Sequence, residues 1–207
     1  MDALHDRKIM DTVALVELNR LWEPVRPYLI KQILDLYDRE PIDIVEIGPF
    51  SGILFDLARQ GTGSSFCMAL FPDDILDSFQ EESACLGLEH MIMMRKSDEK
   101  LSGLPTESFD LAIFRGAFFF PSLFQPDLTN IYRILRPGGM AIVGGGFGVH
   151  TPSELINHIG KRSADLNKQL GRIRVTKEDI QARLNAEQLE QTSDIIDDGG
   201  LWVSLRK

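Results

Sequence analysis

Ile42-Asp-Ile-Val-Glu-Ile-Gly-Pro-Phe-Ser-Gly52 is the stretch from which the fold can be read. Residues 42–47 form a short, β-branched run that stops at Gly48, the pattern of a strand buried on both faces. Gly48 can take backbone angles closed to other residues. Its missing side chain either admits a ligand against bare backbone or merely permits a tight turn. Gly52 lets the next segment pack close and leaves the amides of a first helical turn free. From residue 53 to 59 the apolar residues recur at a helical period.

Outward from this unit the order repeats. Residues 65–70, 90–95, 109–114 and 140–143 predict strands, and residues 74–82 and 128–135 predict helices between them. Strands alternating with helices predict an α/β, Rossmann-like, mainly parallel sheet with helices on both faces. The tail adds strand candidates at 192–196 and 201–205, joined through Asp197-Asp198-Gly199-Gly200. They predict an antiparallel C-terminal hairpin at one edge, making seven strands. Arg136-Pro137-Gly138-Gly139 is expected to end one helix and turn into the fifth strand. Thr151 as cap, Pro152 as first helical residue and Glu154 predict a helix to about residue 168. Thr176 with Asp179 repeats the capping signal for a helix to about residue 184. Ahead of the sheet, residues 13–21 and 25–37 predict two helices broken near Pro24 and Pro27. No linker divides the chain, so 1–207 reads as a single domain with 1–38 as N-terminal covering helices.

Composition narrows the function classes. There are 22 Lys and Arg against 31 Asp and Glu, a net charge of −9, so nucleic acid is disfavoured unless a local basic patch exists. The two cysteines, Cys67 and Cys85, form no C-x-x-C and no metal spacing, and both are expected as core thiols. The first eleven residues carry acids and no apolar core, unlike a signal peptide, and no run approaches the 18 apolar residues of a membrane span. The expectation is a cytoplasmic protein with a small-molecule partner, no membrane and no metal. A homodimer stays open.

The glycine spacing disfavours a nicotinamide or flavin dinucleotide, which calls for G-x-G-x-x-G and an acid about 20 residues on. Phe50 stands at the middle glycine, the second strand candidate ends at Leu70 without an acid, and Glu46 precedes the first glycine. A carboxylate there suits a cationic or amino-bearing ligand better than a pyrophosphate.

At these residues the chain resembles the class I S-adenosylmethionine-dependent methyltransferases, over about residues 40–207. Glu46 to Gly52 is similar to that family's first motif, with Phe50 where another glycine is usual. Ser97-Asp98, Leu104-Pro105 and Ser108-Phe109-Asp110-Leu111 resemble its second and third motifs. Tyr132-Arg133-Ile134-Leu135-Arg136-Pro137-Gly138-Gly139 matches the signature before its fifth strand. The resemblance implies S-adenosylmethionine as cofactor, bound near Glu46, Gly48, Phe50, Gly52, Leu70 and Asp98, with Asp98 beside the adenine. It also implies an acid where Leu70 stands, with Asp73 and Asp74 one turn away. The expected function is methyl transfer by in-line displacement to a small anionic or aromatic acceptor. A catalytically silent relative that binds this cofactor or another small ligand in a regulatory or structural role is the alternative.

The acceptor is expected over the fourth and fifth strand ends. There Arg115 offers a fork of donors for an anion, followed by Phe118-Phe119-Phe120, which wall a slot or pack a core. Gly144-Gly145-Gly146 exposes backbone, and His150 is the one histidine in a plausible pocket loop, hence a candidate base or a surface residue. His5, His90 and His158 offer no metal spacing with it. Lys161, Arg162, Lys168, Arg172, Arg174 and Lys177 form the one basic stretch, either a solvated face or an anion clamp folding over the pocket. Trp22, Arg26 and Tyr28 are candidates for a gate or for ordinary packing.

Overall fold

The computed structural model describes residues 11–207. His5 and most of the acidic start lie outside the described residues. Seven strands form one sheet in the order β3-β2-β1-β4-β5-β7-β6. They are β1 (Asp43–Ile47), β2 (Ser65–Leu70), β3 (Ile92–Lys96), β4 (Phe109–Arg115), β5 (Leu135–Gly145), β6 (Ser193–Ile196) and β7 (Leu201–Arg206). The first five pair in parallel, and β7 runs antiparallel to both β5 and β6, as the sequence predicts. Around them lie α1 (Thr12–Leu21), α2 (Arg26–Tyr37), α3 (Ile53–Gln60), α4 (Leu76–Cys85), α5 (Leu128–Ile134), α6 (Ser153–Gln169) and α7 (Lys177–Ala186).

The central strand explains the arrangement. Ile44, Val45 and Ile47 are wholly buried, as they must be in a strand paired on both sides and covered by helices. Because β2 leaves β1 on one side and β4 on the other, the strand order reverses at β1. A crevice therefore opens at the carboxyl ends of β1 and β4. Two motifs that carry the family resemblance work at the opposite end. Asp110 accepts hydrogen bonds from the Ile42 amide at 3.1 Å and the Asp43 amide at 2.8 Å, and Arg136 pairs with both Asp43 and Asp110. Arg133 donates to the Leu101 and Leu104 carbonyls, both at 2.9 Å, and fastens the loop before β4.

Several local expectations change. Arg136-Pro137-Gly138-Gly139 lies inside β5: Phe109 faces Leu135, then Leu111 faces Met140, so these residues loop out of the pairing instead of preceding it. The Gly138 amide donates to the Lys207 carbonyl at 2.6 Å, which gives the excursion a partner. Thr151 does not cap α6. Its hydroxyl turns back to the Phe147 carbonyl, and the helix starts at Ser153 after Pro152 with no side-chain cap. The capping box at Thr176 and Asp179 forms as expected. Cys67 is buried, but Cys85, at the end of α4, is exposed.

Candidate functional site

The loop from Gly48 to Gly52 joins β1 to α3 at the crevice, and Glu46 sets its shape. The Glu46 side chain is fully buried, and its carboxylate accepts from the amides of Gly52 at 2.9 Å, Ile53 at 3.2 Å and Leu54 at 3.1 Å. It thus satisfies the amides that open α3, at the positive end of the helix dipole. Burial pushes this carboxyl above its ordinary range, while the Arg115 charge and the three amides oppose that shift. The expectation that Glu46 greets an amino group meets a carboxylate already engaged by its own chain.

The glycines of this loop are also occupied from within. A side chain on Gly48, at φ +84°, would bring its Cβ to 2.6 Å from the Phe114 ring, and one on Gly52 would lie 2.4 Å from the Arg26 guanidinium. Gly116, after β4, leaves room for the Phe50 ring, whose Cδ2 would lie 2.3 Å from an added Cβ. Phe50 is buried and packs on Phe120 with centroids 4.5 Å apart and on Phe124 at 6.2 Å. Phe124 in turn meets Phe71 at 5.8 Å and Phe114 at 5.4 Å. Leu70, the last residue of β2, is completely buried in the core. Its carbonyl accepts from the Ser97 amide at 2.8 Å.

This run of rings stands between two cavities. One, of about 680 Å³, lies over the ends of β2 and β3, lined by Phe71, Asp73, Asp74, Ser97, Asp98 and Lys100 among others. Asp98 there accepts from the Ser102 amide at 2.9 Å, which holds its carboxyl below the usual range. The other, of about 420 Å³, lies over the ends of β4 and β5 beneath α1 and α6. Its apolar lining includes Trp22, Phe50, Phe119, Phe120 and Phe147, and its charged residues are Arg115, Lys168 and Arg172. Among the described residues, no carboxylate lines it.

Arg115 is the electrostatic centre of this second cavity. It is 6% exposed, and its guanidinium lies 5.3 Å from the centre of the Trp22 ring. Burial pushes its pKa down to about 10, against the pull of Glu46 and with the Arg26 charge adding to the depression, so it is cationic at neutral pH. Trp22 stacks on Phe147 at 4.6 Å and donates from its indole nitrogen to Ser163 at 2.9 Å. Arg172 lies 4.8 Å over Phe119. The sequence singled out the Trp22, triple-phenylalanine and basic-stretch segments separately; here they meet. Elsewhere in the basic stretch, Arg162 pairs with Glu17 and Lys177 with Asp197.

His150 does not join them. Its Nε2 lies 2.8 Å from Asp35 of α2 and 3.4 Å from Lys31, and it lines neither cavity. The glycines at 144 and 146 are explained by close packing of the β7 approach: a Cβ on Gly144 would lie 2.3 Å from the Leu201 carbonyl, and one on Gly146 as close to Gly200. Asn19, buried and donating to the Pro49 carbonyl at 2.8 Å, escaped notice in the sequence because nothing in a helix pattern marks it. Arg26 is buried too: it pairs with Glu82 at 3.2 Å, while its Nε and Nη2 have no hydrogen-bond partner among the described residues. Among the described residues no group of His, Cys, Asp and Glu could hold a metal ion, and no helix is long and apolar enough to cross a membrane.

Solved structures share this architecture. A candidate S-adenosylmethionine-dependent methyltransferase from Methanococcus maripaludis aligns with a TM-score of 0.77 and 23% identity over 95% of this chain and 91% of that one. The fold is that of the class I methyltransferases. PigF in complex with SAH aligns with a TM-score of 0.64 and 16% identity over 93% of this chain and 59% of its own length. A chain of the complex between the Haloferax volcanii Trm112 methyltransferase activator and a candidate methyltransferase aligns with a TM-score of 0.60 and 13% identity, covering 96% and 98%. Among curated proteins, the highly reducing polyketide synthase verA of Penicillium polonicum is 30% identical over 117 residues, 54% of this chain. The matched segment spans 4% of that synthase. No family model matches the sequence.

Whether the residues present fit S-adenosylmethionine can be tested on the two cavities. The acidic one, open and rimmed by Asp73, Asp74 and Asp98, suits hydroxyl and amino donors of a nucleoside. The passage toward β4 is filled by Phe50. The acidic lining thus fits the nucleoside part, while Phe50 occupies the space beside Gly116.

Proposed function

We propose that this protein transfers the methyl group of S-adenosylmethionine to a small anionic, partly apolar acceptor. The observation that carries the reading is the pair of cavities on either side of the β1–α3 loop, in a sheet whose strand order reverses there. One cavity is acidic and polar; the other is largely apolar, and the charged residues among its described lining are all cations. In this reading Asp98 lies beside the adenine and Asp73 or Asp74 reaches the ribose from the segment after β2, since Leu70 has no polar group to offer. Gly48 and Gly52 shape the loop, with Glu46 fixing it through the α3 amides. Phe50 turns from its place on Gly116 and packs against the methionine part. Such a cofactor supplies an activated methyl, so the protein must chiefly align the acceptor and exclude water. Arg115 holds the acceptor's anionic group, and the phenylalanines and Trp22 hold its body. His150, paired with Asp35 outside the cavity, takes no part.

Calorimetric titration with S-adenosylmethionine and with its demethylated product tests the reading, followed by a radiolabelled-methyl screen of metabolite fractions. Binding in the micromolar range and label in a small anionic product are expected. Phe50 on Gly116 favours a second reading, a silent protein whose cofactor groove is closed. Absence of calorimetric binding favours that reading instead, whereas binding without label in any fraction refutes both the closed groove and methyl transfer to a small molecule.

A further inference from the structure

We infer that the basic cavity is a site for a compact apolar or aromatic molecule carrying two anionic groups. Arg115 holds one over Trp22, and Lys168 with Arg172 holds the other at the mouth. Calling this molecule the methyl acceptor rests on the proposed function; its binding does not.

The inner half of the argument is Arg115. Arg115 is 6% exposed as a residue, and its guanidinium, turned to the cavity, costs free energy to bury unless its donors meet acceptors there. Glu46 attracts it through space, but both Glu46 oxygens are engaged by α3 amides. No hydrogen bond from the Arg115 side chain to another described residue exists, and the side chain lines the cavity. A planar carboxylate or phosphate edge supplies the missing acceptors in the geometry the fork prefers.

The outer half is independent. Lys168, near the end of α6, and Arg172, just beyond it, are exposed residues lining the same cavity, and neither pairs with an acid among the described residues. Other cations of the same stretch, Arg162 and Lys177, do have acidic partners. In a chain of net charge −9, three cations around one cavity, with no carboxylate among the described residues that line it, make a local field of opposite sign to the whole. Two arginine–aromatic platforms, Arg115 with Trp22 and Arg172 with Phe119, bracket an apolar wall that includes Phe120. At about 420 Å³ the cavity is near the small end of the roughly 300–1,000 Å³ span of ligand sites.

Calorimetry on the full chain without cofactor tests this, with terephthalate, benzoate, phenyl phosphate and neutral benzamide as probes. Benzoate is expected to bind at least about tenfold tighter than benzamide, and terephthalate at least about tenfold tighter than benzoate, as charged hydrogen bonds imply. Phenyl phosphate against benzoate decides which head group Arg115 prefers. Arg115→Gln should bring benzoate down to benzamide. The surface double variant Lys168→Gln/Arg172→Gln should remove only the advantage of terephthalate, and it keeps the test open if Arg115→Gln fails to fold. Benzamide equal to benzoate, no probe binding at all, or a terephthalate advantage that survives the double variant overturns the inference. S-adenosylmethionine is titrated separately: probe binding without cofactor binding refutes the methyl-transfer reading alone, and the reverse refutes the dianion site alone.

Discussion

Truncating Phe50 to alanine should make the protein less stable and a better binder of S-adenosylmethionine. The ring is 5% exposed, and replacing a core phenylalanine by alanine costs about 3–5 kcal/mol. For a chain of this size each kcal/mol is about 2–4 °C, so Tm should fall by roughly 6–20 °C. The gain in binding follows from what the ring gives up when it moves. It has two aromatic partners, Phe120 at 4.5 Å and Phe124 at 6.2 Å, and each such pair contributes about 0.5–1.5 kcal/mol. Wild type must surrender about 1–3 kcal/mol that the variant has already lost, which corresponds to about 5- to 150-fold in affinity. Calorimetric titration of both proteins with S-adenosylmethionine, after thermal melts to locate the folded range, measures both effects. A folded Phe50→Ala protein that binds the cofactor more weakly than wild type would refute the reasoning. Phe50 would then be a wall of the site and not its obstruction.

Three further outcomes are expected. Glu46→Gln removes a charged acceptor from three amides, a loss of about 1.5–3 kcal/mol, so Tm should drop by roughly 3–12 °C; an unchanged melt with cofactor binding abolished would make Glu46 a ligand residue instead. Burial pushes the Cys67 thiol from 9.0 up to about 11, leaving its thiolate about a hundredfold scarcer at pH 8, while Cys85 is exposed. A disulfide reagent should therefore titrate one thiol in the native protein and two only in denaturant, and immediate reaction of both would contradict the packing of β2. Because burial lowers the Arg115 pKa from 12.5 to about 10, its charge is complete at pH 8 and is lost as pH rises through about 10, so benzoate affinity should decline across that window. Affinity that holds level to pH 11 in a still-folded protein would point to another cation.

The sheet was legible because its causes are local and repetitive. The run 42–47 read as a buried strand, and its repetition with helices between pointed to a mainly parallel sheet, with the last hairpin marked by Asp197 to Gly200; the order of the strands came from the structure. What escaped were choices made by distant partners. Gly48 read as an opening for a ligand or as a tight turn, and Gly52 as a place of close packing with free helix amides, yet Phe114 and Arg26 fill the space beside them, and those side chains come from β4 and α2. Arg136-Pro137-Gly138-Gly139 read as a turn before a strand, yet Lys207 at the far end of the chain receives it within β5. His150 read as a pocket residue by its place after the fifth strand, and Asp35 drew it to α2. Arg115 read correctly as a strand-end cation, but its coupling to Trp22 needed α1 to be laid over β4.

The displacement of Phe50 in the proposed reading has a thermodynamic consequence for any pair of ligands that uses the two cavities. Phe50 and Phe120 line the basic cavity, while Phe71, two ring contacts away through Phe124, lines the acidic one. A ligand that displaces Phe50 alters the apolar wall presented to a molecule held by Arg115. The affinities must then be coupled, and the coupling is the same factor whichever ligand binds first. If displacement costs about 1–3 kcal/mol, the open arrangement is populated at roughly 0.6–16% in the free protein, and the cofactor's apparent affinity is reduced by that fraction. A dianion that packs on the closed ring deepens the reduction, whereas one that needs the space behind it relieves it. The sign of the coupling thus reports where the Phe50 ring goes, and cationic Arg115, fixed at the end of β4, is the reference point against which that movement is felt.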